Sequence, residues 1–141
     1  MMKKFRSSCL IASCLDLIGD KWSLLIIRDM LMHHKKTFKE FVASDEGIAS
    51  NLLSSRLKML ESLHIITKRK LPANKKENIY LLTEKGMDLA PMILEIVRWS
   101  DKHVREQHPD MNSYEPGSNS ILAERVQKEY SVFASQIMDG S

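Results

Sequence analysis

The stretch "IASNLLSSRLKMLESLHIITKRK", residues 48–70, decides the fold. Read as a helix over about residues 49–63, it places Leu53, Leu57 and Leu60 on one side. Ser50, Asn51, Ser54, Ser55 and Lys58 fall on the other. The chain then runs without glycine or proline into a β-branched segment that ends in Lys68, Arg69 and Lys70. A helix that enters a DNA major groove needs such a face, because short side chains permit close approach and Ser, Asn and Lys can bond base edges and phosphates. Asn51 could read adenine in bidentate fashion. Arg56 falls among the leucines, where it could pair with an acid of the preceding helix or touch DNA. The bland alternative is an amphipathic helix beside a solvated basic hairpin.

Working downstream, "LPANKKEN" at 71–78 separates "HIITKRK" from "IYLLT". Two short extended runs around a loop with Pro, Asn and Lys predict a β-hairpin with a basic tip. Lys75 and Lys76 at that tip join Lys68, Arg69 and Lys70 as candidate phosphate contacts. Thr83 caps a further helix carrying Leu89, Ile93, Ile96, Val97, Ser100 and Val104 at helical spacing, and Pro91 predicts a kink or restart inside it. The segment 108–120 holds two prolines and a glycine and reads as a linker. A last helix, about residues 121–138, aligns Leu122, Val126, Tyr130, Phe133 and Ile137 on one stripe.

Upstream, Ser7 and Ser8 can cap a first helix to Ile18, with Gly19 as its stop. Asp20 caps a second helix whose apolar residues cover most of its sides, which predicts a place at the centre of the core. "TFKE" at 37–40 is a capping box opening a short third helix, with Phe38 and Phe41 facing inward. The order is three helices, a fourth with a polar face, a two-stranded ribbon and more helix. That is the outline of a mainly α (α+β) winged helix-turn-helix with additional N- and C-terminal helices. The expected division is a DNA-binding unit over 1–107, the linker, and a C-terminal helix over 121–141.

Composition agrees. At 141 residues the chain is one domain, or one domain with an appendage; 43% hydrophobic content suffices for a core. No run of about 18 apolar residues occurs, so no membrane span is expected. The basic, partly apolar N-terminus is interrupted by Ser13, Cys14 and Asp16 and lacks a small-residue cleavage site, so it reads as a helix of the fold. Two cysteines without a CxxC pair fit reduced thiols in the cytoplasm. The net charge is only +3, but residues 33–82 carry net +5 and residues 83–141 net −4. A positive middle points to a polyanion as partner, double-stranded DNA above all. The alternative partner is an acidic protein, which would make the chain a winged-helix protein–protein interaction module.

The strings "CLDLIGDKWSLLIIRDML", "TFKEF", "GIASNLLSSRLKMLE", "IYLLTEKGMDLAPMI" and "RWSDKH" occur in this order. Together they strongly resemble the HxlR-type transcriptional regulators, a winged-helix group allied to the MarR regulators. The resemblance runs from about Cys9 to His103. It implies a bacterial homodimer on pseudo-palindromic operator DNA, with the fourth helix as recognition helix, the hairpin as wing and the terminal helices as dimer interface. A small-molecule or thiol-stress effector fits such a repressor. Departures are informative. Ala49 stands where the family places a capping serine, which leaves Ser50 as the candidate cap. His64 replaces the glycine that ends the recognition helix, which calls either for left-handed geometry at a non-glycine residue or for a different end to the helix. "HHKK" replaces the glycine after the second helix. "NKKEN", with acidic Glu77, replaces the usual wing prolines.

Cys9 sits where some family members keep a redox-sensing thiol. It opens a helix just after Lys3, Lys4 and Arg6, a setting in which thiols become reactive. Cys14 reads as core. His33 and His34 are adjacent and lack carboxylate or thiol partners at ligand spacing, so no metal site is expected. The sequence holds no GxSxG, HExxH or Gly-rich phosphate loop, so neither an enzyme nor a cofactor is expected. Trp22, Trp99 and the nine methionines read mainly as packing residues.

Overall fold

The computed structural model describes residues 5–105 and 119–139. In chain order the elements are α1 (Leu10–Ile18), α2 (Lys21–His33), α3 (Phe38–Val42), α4 (Ser50–Ser62), β1 (Ile66–Leu71), β2 (Asn74–Leu82), α5 (Glu84–Met87), α6 (Ala90–His103) and α7 (Asn119–Asp139). The expected linker lies outside the described residues as far as residue 118.

Local chemistry sets most boundaries. Asp20 caps α2 by accepting the Ser23 N–H at 2.9 Å and the Ser23 hydroxyl at 2.6 Å. The Thr37/Glu40 capping box forms in full: Thr37 Oγ1 accepts the Glu40 N–H, and Glu40 accepts the Thr37 N–H. Thr83 caps α5. Pro91 falls at the first turn of α6, where its missing N–H costs nothing, so the expected kink is a restart. Two other caps differ from expectation. The N-cap of α1 is Cys9, and Ser7 only accepts its N–H. The N-cap of α4 is Ala49, so Ser50 is the first helical residue and caps nothing.

Positive φ occurs where glycines were absent. His34 ends α2 at φ 53° and His64 follows α4 at φ 59°, both left-handed. The Lys85 ammonium and the Thr83 hydroxyl bond the carbonyls of Leu63 and His64, which satisfies the end of α4. Gly86 cannot be larger: a Cβ there would stand 2.4 Å from the Ile65 carbonyl oxygen.

The core forms where α2, α4, α6, α7 and the base of the hairpin converge. Ile27, Met30, Leu53, Leu60, Ile66, Leu94 and Tyr130 are buried. α2 is central, as its all-round hydrophobicity predicts; Phe41 is buried and Phe38 half-buried. On α6 the expected stripe splits: Ile93 is buried, but Ile96 and Val104 are exposed. α7 packs back on its own chain, against α6 and α2.

Candidate nucleic-acid interface

α4 is held by its leucines. Leu53, Leu57 and Leu60 are buried, which turns Ser50, Asn51, Ser55 and Lys58 to solvent and leaves Ser54 half-exposed. With alanine at the N-cap, the first-turn amides gain no side-chain acceptor. Arg56 lies off this face. Its Nε donates to Asp20 at 3.1 Å, so the acid it meets is the cap of α2 and not one of α3. Partial burial opposes the Asp20 carboxylate, but hydrogen bonds from Ser23 and the Arg56 charge outweigh it and hold its pKa below the ordinary range. Arg56 thus ties α4 to the start of α2.

The turn between α3 and α4 is fixed by ionic contacts. The Arg28 guanidinium grips both Glu46 oxygens at 2.9 Å and also reaches the buried Asp29. Asp29 further accepts the Ser44 hydroxyl, and the Lys35 ammonium bonds Ser44 at 2.6 Å. A buried carboxylate needs such partners. The Arg28 hydrogen bonds pull the Glu46 pKa down from 4.5 to about 2. Gly47, at φ 70°, makes the bend that follows.

In the hairpin, Lys68 pairs with Tyr80, Arg69 with Ile79 and Lys70 with Asn78. The next pair is Leu71 with Asn74, so residues 75–77 bulge out of β2. The expected eight-residue loop is therefore a turn at Pro72 and Ala73 followed by a bulge that carries Lys75, Lys76 and Glu77. The Lys76 N–H donates to Asn74 Oδ1, which stabilises the bulge. Strand alternation also splits the basic triplet. Lys68 and Lys70 share the face of Tyr80, which packs edge-on against Phe41 of α3. Arg69 sits on the opposite face, where its guanidinium meets the Met138 sulfur of α7.

Cys9 is exposed. Of the cations expected around it, Arg6 pairs with Asp16, and Lys3 and Lys4 lie outside the described residues. Among the described residues no cluster of His, Cys, Asp or Glu could hold a metal ion, and no helix is long and apolar enough to cross a membrane. Tyr130 is a structural contributor that the sequence reading placed only in a stripe. A tyrosine on a buried stripe carries a hydroxyl that must find a partner, and that was its signal.

Residues 17–108 match the HxlR-like helix-turn-helix family. The chain belongs to that family. It is 38% identical over 90 residues to the HTH-type transcriptional regulator YodB of Bacillus subtilis (strain 168), a match covering 64% of this chain and 80% of YodB. The reduced form of YodB superposes with a TM-score of 0.57 at 32% identity, covering 72% of this chain and all of that one. The oxidised form of the redox regulator HypR gives 0.59 at 28% identity, over 67% of this chain and 97% of that one. The chain is accordingly a DNA-binding transcriptional regulator and not an enzyme. Membership favours DNA over an acidic protein as partner of the basic middle.

Proposed function

We propose that the chain is a cytoplasmic, homodimeric repressor that reads a pseudo-palindromic operator through α4. The carrying observation is the exposed row Ser50, Asn51, Ser55 and Lys58 on a helix whose opposite side is locked into the core. Asn51 and Ser55 face base edges, Ser54 approaches from the flank, and Lys58, two turns further along the helix, meets phosphate. Lys68, Lys70, Lys75 and Lys76 contact the backbone from the wing. Arg56 serves by holding α4. Changing Asn51→Ala should weaken operator binding by about 1–3 kcal/mol and leave random-sequence binding unchanged. Equal losses on both DNAs in a titration would remove Asn51 from base reading.

Exposed apolar residues supply the dimer surface. Leu10, Ile11 and Leu15 on α1, with Ile96 and Trp99 on α6 and Val104 just past it, remain uncovered in the single chain. For the signal we assign Cys9, exposed at the start of α1, since YodB is known in a reduced form and the redox regulator HypR in an oxidised one. Oxidant should change operator affinity of the native protein and leave Cys9→Ser indifferent. A small-molecule effector has a second place, an apolar cleft of about 140 Å³ between α2 and α6 lined by Leu24, Met32, Ile93 and Val97.

A further inference from the structure

We infer that α7 is a strap that sets the angle of the wing, with Tyr130 as its positioning residue. The consequence for DNA rests on the function proposed above. α7 lies beyond the residues matched by the family, yet it is bonded into the hairpin. Tyr130 is fully buried, and its hydroxyl accepts the Leu82 N–H at 2.9 Å. Alternate N–H groups of β2 point away from β1. Two residues earlier, the Tyr80 N–H donates to the Lys36 carbonyl at 2.7 Å, and Thr37 bridges Ile79. The outer edge of β2 is thus closed in series, first by the α2–α3 loop and then by a tyrosine hydroxyl standing where a third strand would place its carbonyl.

His34 couples these two closures. From its left-handed position it stacks on Phe133 at 4.5 Å and meets Tyr130 edge-on at 5.9 Å. Gln127 Nε2 donates to the Met87 carbonyl in α5 at 3.0 Å. At its far end α7 reaches Arg69 of β1 through Met138, 3.6 Å away. The helix therefore grips α5, the β2 edge and β1. A two-stranded ribbon has little stability of its own, so what holds its base sets its direction. With Tyr130→Phe the ring still packs, but a buried N–H loses its acceptor at the hinge of the wing.

The test compares the full-length protein with Tyr130→Phe in two ways. Amide exchange by NMR on the free protein should accelerate about tenfold across β1 and β2, with the inner amides of α4 unchanged. The salt dependence of DNA binding should fall to that of a Lys75→Ala/Lys76→Ala double variant, and combining all three changes should lower it no further. Gln127→Ala, which releases the Met87 carbonyl and keeps Tyr130, should shift the same amides in the same direction and decides the matter if Tyr130→Phe does not fold. Acceleration confined to Leu82, or uniform through the chain, overturns the inference. So does an undiminished salt slope in Tyr130→Phe when the double variant has lost it. If the double variant keeps the native slope, the wing's DNA contact falls, and the exchange pattern alone then upholds or overturns the strap.

Discussion

At the scale of single residues, the placement of α4 depends on side chains that lie off its polar face. Asp20 closes α2 and holds Arg56; Arg28 holds Glu46 and Asp29 across the turn before α4. The Asp20 and Glu46 carboxylates are depressed, so the sign of the pH effect is fixed. A group with a lowered folded pKa contributes stability above its unfolded pKa and loses it as pH falls through the folded one. For Glu46 that window runs from 4.5 down to about 2. Acid unfolding followed by circular dichroism should therefore show stability falling across this window, and more shallowly in Glu46→Gln. An unchanged slope in that variant would mean the Arg28 contact does not persist in solution.

At the scale of elements, what the sequence made legible was local. The Asp20, Thr37 and Thr83 caps, the restart at Pro91 and the polar face of α4 all follow from neighbours a few residues apart. What it hid was set from a distance. Arg56 finds Asp20, 36 residues earlier, and the length of the wing turn depends on a bulge that composition does not encode. The left-handed histidines lie between these cases: the missing glycine at His64 left that geometry as one of two outcomes, and the one in "HHKK" gave no sign of it at His34. His64 is exposed and strained without packing in return, whereas His34 gains the Phe133 and Tyr130 rings. His64→Gly should stabilise the protein by about 0.5–1 kcal/mol, the relief of left-handed strain outweighing the added freedom of the unfolded chain. Urea denaturation gives the answer, and a loss would show that the end of α4 needs the side chain.

At the scale of the whole molecule, the single chain leaves Leu10 and Ile11 of α1, Ile96 and Trp99 of α6, and Val104 just past α6 in water. Exposed large apolar residues in this number are what the proposed dimer surface would cover. α7 folds back onto α2 and α6 and still exposes Ile121 and Val132, so the proposed dimer surface draws on α1, α6 and the outer side of α7. Trp99→Glu should shift sedimentation from dimer to monomer and weaken operator binding far more than random-DNA binding. A dimer that survives the change would place the interface elsewhere. The most direct measurement is selection of bound sequences from a random DNA pool by the reduced, full-length protein. Two Asn51-sensitive half-sites related by a two-fold axis, one helical turn or about 34 Å apart, are the expected result. No enriched motif, with only salt-sensitive background binding, would contradict operator reading by paired α4 helices.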